Sequence, residues 1–182
     1  MINNILKIVL SIAAVFLAYM VYDSIASEMR YRDEVEEVEA QVIKKLEDIR
    51  LAQLTYKEEK GKFTNDFDTL IDYLKHGRIK VVVQYGDRDD STTNFREEVS
   101  YVAILDTLFK DINIDSLAFV PPYDTARFLM DAMMITQGNV EVPVFKVEDP
   151  HPFDKKRRNP NDPKKPLQVG SLSEATYSGN WK

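Results

Sequence analysis

Residues 1–60 contain neither glycine nor proline, and the first residue that can break a helix is Gly61. With no permissive or ring-locked backbone position in sixty residues, the stretch predicts one long helix. Its two halves face different solvents. Residues 5–22 are apolar with a single charge, Lys7, close enough to the end for its stem to snorkel. Eighteen residues at about 1.5 Å each span roughly 27 Å, the thickness of a hydrocarbon core. Tyr19 and Tyr22 sit where an aromatic belt is expected, and Lys7 with the α-amine marks the near side as cytoplasmic. Arg30 and Arg32 beyond the run pull the other way. A secretory signal is the competing reading: residues 8–22 form an h-region and Ser24-Ile25-Ala26 a small-residue cleavage site.

The second half is amphipathic. Val35, Val38, Val42, Leu46, Ile49, Ala52 and Tyr56 recur at steps of three and four. The stripe is thin to Ala40 and broadens from Val42, where Ile43, Leu51 and Leu54 flank it. A thin stripe fits a stem standing free, and a broad one a helix lying on a sheet. Val35, Val38 and Val42 are therefore candidate partner-binding residues, either as a helical seam or as part of a solvated spacer with i,i+4 ion pairs.

Beyond Gly61 the pattern shortens. Thr64 or Asn65 is the expected cap of a second helix whose face is Phe67, Leu70, Ile71 and Leu74, closed by Gly77. Strands are expected at residues 79–85, 99–104, 116–120, 126–136 and 140–147, with residues 99–109 also readable as a helix. Gln137-Gly138-Asn139 is a turn, and Pro143 points to an edge strand or a bulge. Five of the eight prolines follow Asp149 and surround the basic cluster Lys155-Lys156-Arg157-Arg158, which predicts an exposed, mobile loop. Leu167, Val169 and Leu172 are expected to dock as a last strand, and Trp181 to anchor the terminus. The fold class is α+β: a long N-terminal helix, transmembrane then amphipathic, packed on a small antiparallel sheet. The divisions are an anchor (1–22), a stem (23–60), a globular domain (61–149) and a proline-rich basic loop with a docking segment (150–182).

Ile49-Arg50-Leu51-Ala52-Gln53-Leu54-Thr55-Tyr56, then Gly61-Lys62-Phe63-Thr64 and Asp68-Thr69-Leu70, resembles the stem-to-loop passage of type IV pilins and secretion pseudopilins. The ending Gly179-Asn180-Trp181 is similar too, and the near-terminal Gly170-Ser171-Leu172-Ser173-Glu174-Ala175 resembles uncharacterised bacterial single-pass proteins. The resemblance is one of architecture. No Gly precedes the apolar run, no Phe starts it and no Glu stands at its fifth position, so the prepilin processing signal is missing. It implies a pilin-like domain in a secretion, filament or envelope assembly, held at the inner membrane and facing the periplasm.

Chemistry-bearing patterns are few. The chain has no cysteine, which removes thiolate catalysis and thiolate metal sites. Asp87, Asp89 and Asp90 share a loop with Ser91 and Thr92 and offer oxygens to a hard cation such as Ca²⁺, without the glycine and distal glutamate of an EF-hand. His76 and His151 have no ligand spacing between them. A net charge of −6 gives nucleic-acid binding no general support. Lys155, Lys156, Arg157 and Arg158 are candidates for contact with anionic headgroups or an acidic partner. Met130, Met133 and Met134 form a soft apolar patch, read as core filling or as a partner groove. The sequence points to no cofactor, no small-molecule substrate and no enzyme. Its expected partners are the membrane, other envelope proteins and further copies of itself. The alternative is a periplasmic peptide- or cation-binding module released by signal cleavage.

Overall fold

The computed structural model describes residues 2–85, 96–122 and 125–181. Helix α1 runs unbroken from Ile2 to Lys60. It stops where the sequence provides a left-handed residue: Gly61 has φ 72°, and its N–H donates to the Lys57 carbonyl at 2.8 Å. The chain divides into two compact units, Met1–Ala40 and Gln41–Lys182.

The first unit is helix alone. Large apolar residues from Leu6 to Tyr22 are 53–72% exposed, on every side of the helix. Such a surface suits lipid rather than water, and this is the one stretch among the described residues long and apolar enough to cross a membrane. Ser11 within it donates its hydroxyl to the Lys7 carbonyl at 2.9 Å, so that donor is already satisfied.

In the second unit the rest of α1 becomes core. Val42 is 2% exposed, and Leu46, Ile49 and Ala52 are fully covered. Gln53, beside this stripe, is also fully buried. Its Nε2 donates to the Thr64 carbonyl at 2.7 Å and its Oε1 accepts from the Thr64 N–H at 3.2 Å. A second contact from Nε2 reaches Met130 Sδ at 2.8 Å. The side-chain amide thus pairs with the returning loop as a strand neighbour would, joining α1, the loop and the sheet.

Helix α2 spans Phe67–His76. Its cap is Asp66, not the expected Thr64 or Asn65: the carboxylate accepts from Thr69 N at 2.8 Å and from the Thr69 hydroxyl at 2.6 Å. The Thr64 hydroxyl instead accepts from the Asp66 N–H at 3.2 Å and shapes the approach to the cap. Phe67, Leu70 and Leu74 are buried as expected; Tyr73 replaces Ile71 as the fourth buried residue and meets Tyr56 edge-on at 5.0 Å. Gly77 closes the helix in an extended conformation, φ −69°. Its need is space, since a Cβ there would stand 2.5 Å from the Tyr73 carbonyl and 2.6 Å from Ile104 Cδ1.

Among the described residues five strands form two sheets rather than one. β1 (Arg78–Tyr85) and β2 (Arg96–Ala103) make a two-stranded antiparallel ribbon. β3 (Leu129–Gln137), β4 (Val140–Glu148) and β5 (Gln168–Gly170) make an antiparallel sheet in that order. Both readings of residues 99–109 hold in part: β2 passes at Ala103 into a one-turn helix, α3 (Ile104–Thr107). The strand expected at residues 116–120 does not form. A 3-10 turn at Ile114–Ser116 occupies its start, and only Phe119 bridges, to Arg127. The reason is the buried, closely spaced set Ile114, Leu117, Ala118 and Val120, which a turn buries together and an alternating strand would split.

Gly138, φ 65°, supplies the tight hairpin between β3 and β4, with Gln137 opposite Val140. Pro143 lies in the half of β4 that β5 does not reach, since β5 pairs only with Lys146, Val147 and Glu148. There the missing N–H costs no ladder bond on that side. The end of α1, the loop after it, β4 and the tail close over one aromatic cluster: Phe63 to Phe145 at 4.7 Å and to Tyr177 at 5.3 Å, with Lys57 Nζ 5.1 Å above the Tyr177 ring. The terminus is held chiefly by Asn180 rather than Trp181. Its Oδ1 accepts from Gln168 N at 3.0 Å and its Nδ2 donates to the Pro166 carbonyl at 2.7 Å, while the Trp181 ring covers Gly179.

Candidate interaction surfaces

The largest departure from ordinary packing in the second unit is the β1–β2 ribbon. In its register Ile79, Val81, Val83 and Tyr85 share one face with Val102, Ser100, Glu98 and Arg96; Lys80, Val82 and Gln84 share the other with Tyr101, Val99 and Glu97. Only the root is covered: Ile79, Val81, Val102 and Ala103 are half-buried. Val82, Val83, Tyr85, Val99 and Tyr101 are 41–63% exposed, so apolar side chains meet water on both faces. Cross-strand contacts hold the outer half: Arg96 lies 5.2 Å over the Tyr85 ring, and Gln84 Nε2 donates to Glu97 at 2.9 Å. Among the described residues no third strand pairs with either edge. A lone two-stranded ribbon is marginal in water, and exposed apolar side chains of this kind are a candidate contact surface.

The second surface is the basic lobe of residues 150–166. The expected loop is exposed and carries one short regular element. Lys155–Arg158 form a helical turn, α4, capped by the buried Asp154, whose Oδ1 accepts from Lys156 N at 2.9 Å and whose Oδ2 lies 3.4 Å from Lys164 Nζ. Arg157 donates to the Lys165 carbonyl at 2.7 Å, and Arg158 donates to the carbonyls of Pro152 and Phe153. These guanidinium groups therefore tie the prolines into a fold, and line a small recess with Pro150, His151, Pro152 and Pro166. Lys155 and Lys156 are exposed. Beneath the lobe, Asp149 is 2% exposed and accepts from the His151 N–H at 2.9 Å; burial pushes its carboxyl above the usual range.

A third recess, bounded by Tyr56, Glu59, Lys60, Asp72, Tyr73, His76 and Arg78, carries mixed charge. The hydrogen bond from Lys60, then one from Tyr73, holds the Glu59 carboxyl low. Burial, then the Glu59 contact, pushes the Tyr73 phenol up, so it stays protonated, and its one proton has two acceptors in reach, Glu59 and the Thr55 carbonyl, the latter 3.3 Å from the phenol oxygen. An ionised acid and a protonated phenol suit hydrogen bonding; neither titrates near neutrality as a general base does.

The sequence-predicted residues scatter. Val38 and Val42 are 6% and 2% exposed and Val35 is half-buried, so the stripe proposed to take a partner helix is already largely covered. Asp87, Asp89 and Asp90 lie outside the described residues. Among the described residues no three His, Asp or Glu side chains gather as a metal site would need. Met130 is core at 9%, whereas Met133 and Met134 are 51% and 46% exposed at the hairpin end of β3. The ribbon was visible in part: Val81-Val82-Val83 puts apolar residues on both faces of a strand, which an ordinary half-buried strand does not do. Comparison with protein families, curated proteins and solved structures gives no match.

Proposed function

We propose that this chain is a non-enzymatic, membrane-anchored structural or interaction protein. In this reading one N-terminal helix crosses the inner membrane with its N-terminus in the cytoplasm. The α+β unit stands in the periplasm and serves, in a pilin-like manner, in a secretion, filament or envelope assembly. The observation that carries the reading is the continuity of α1: one helix supplies both the exposed apolar span and the buried residues Val42, Leu46, Ile49 and Ala52. A removable signal needs no such structural continuation past its cleavage point. Because Val38 and Val42 are covered, lateral contact in this reading moves from the stem to the ribbon and the basic lobe.

Alkaline carbonate extraction of membranes, with intact mass and N-terminal sequence of the recovered chain, tests it. The expected result is a chain that resists extraction and retains residues 5–22. A mature N-terminus at Ser27 in the soluble fraction overturns it in favour of a released binding module.

A further inference from the structure

We infer that β1 is a self-pairing edge: two copies of this chain join antiparallel, strand β1 against strand β1, centred on Val82. Four observations carry this. First, the β1–β2 ribbon is isolated, and neither of its edges is paired among the described residues. Second, the edges differ. β2 opens with Arg96, Glu97 and Glu98, the kind of charge that blunts an edge, whereas β1 has no charged residue between Lys80 and Tyr85. Third, β1 is complementary to itself. Centred on Val82, an antiparallel copy sets Val82 against the partner's Val82, Val81 against the partner's Val83, Lys80 against the partner's Gln84, and Ile79 against the partner's Tyr85. Every apolar side chain meets an apolar one, no like charges face each other, and each residue keeps its face of the sheet. A register shifted by one residue would set Lys80 against Val83 and Ile79 against Gln84, mixing the two faces. Fourth, the pairing turns a marginal two-stranded ribbon into a four-stranded sheet with continuous faces, and a two-fold axis closes it so that it does not propagate through β1.

The interface is small. Two eight-residue edge strands bury less than the roughly 1,000 Å² expected of a stable complex. Pairing is therefore weak between free molecules and strengthened when both copies are confined to one membrane, which is the part that rests on the anchored reading above.

The absence of native cysteine makes the test direct. Directly opposed residues of an antiparallel pair have Cα atoms about 4.5–5.5 Å apart, within disulfide range. Full-length Val82→Cys, oxidised mildly in membranes, is expected to give at least tenfold more disulfide dimer than Val99→Cys at the centre of β2. Val81→Cys co-expressed with Val83→Cys is expected to give the mixed dimer. Val82→Cys that stays monomeric, or that crosslinks no better than Val99→Cys, overturns the pairing, as does a Val82→Cys adduct whose mass shows a different protein on the edge. Carbonate extraction of the same samples reads the anchor separately: monomer in the membrane fraction sinks the pairing alone, and dimer in the soluble fraction sinks the anchor alone.

Discussion

Replacing Gln53 tests the central joint of the fold. Its side chain makes two hydrogen bonds with the backbone of one loop residue, Thr64, which is 8% exposed. Gln53→Leu conserves most of the volume, so the cavity contribution is small. What remains is an orphaned donor and acceptor on Thr64, each costing about 1–3 kcal/mol when left buried. Loop relaxation toward water recovers part of this, and a net loss of about 3 kcal/mol is expected. For a chain of this size that lowers Tm by roughly 6–12 °C. The assay is thermal unfolding of the full chain in detergent, followed by tyrosine and tryptophan fluorescence, alongside Gln53→Ala, which adds a cavity and falls further. A Gln53→Leu variant within about 0.5 kcal/mol of the parent, the scatter of neutral surface changes, would refute the reasoning, because the Thr64 groups would then have no need of the amide.

Three further outcomes follow from particular contacts. Asp66→Ala lowers Tm at neutral pH by removing the α2 cap. The cap's carboxyl is held low by the Thr69 hydrogen bonds, so its contribution is present above the unfolded Asp pKa and fades as pH falls through the folded one; the Tm gap to the parent therefore narrows in acid. Asp149 has the opposite sign. Burial raises its folded pKa, so the parent loses stability as pH rises from about 4 toward that higher value. Asp149→Asn keeps an acceptor for His151 N–H and escapes that loss, and its Tm relative to the parent is expected to rise as the pH increases from about 4. Asn180→Ala removes the bonds to Gln168 and Pro166 at a cost of about 1–2 kcal/mol, and hydrogen exchange at the Gln168 amide is expected to quicken.

Local rules carried much of the architecture. Sixty residues without a breaker, a stripe at steps of three and four, and Gly61 in the left-handed region place α1 and its end residue by residue. Gly138 placed the hairpin and Val169 the last strand for equally local reasons, while Leu167 is buried just before that strand and Leu172 lies beyond its end. The misreadings arose where two local solutions were equivalent and distant packing chose between them. Thr64, Asn65 and Asp66 can all cap a helix. Gln53 engages Thr64, which places Asp66 at the cap position. The prolines after Asp149 forbid long elements but not a fold built from Asx caps and arginine-to-carbonyl bonds. The ribbon was the least legible feature, because the sequence identifies strands and does not say which of them share a sheet. The isolation of β1 and β2 from β3–β5 is a fact of distant pairing.

The aromatic cluster also has a consequence in time. Lys57 meets Tyr177 across 120 residues of chain. Contacts of such separation wait on loop closure, and here they also wait on synthesis. At about 5–20 residues per second, Tyr177 is added roughly 6–24 s after Lys57. During that interval the long helix is complete while Phe63, and Phe145 once it has been added, lack the ring that covers them. Closure of this cluster therefore waits until synthesis has passed Tyr177. A chain cut short before Tyr177 leaves Phe63 and Phe145 without that ring.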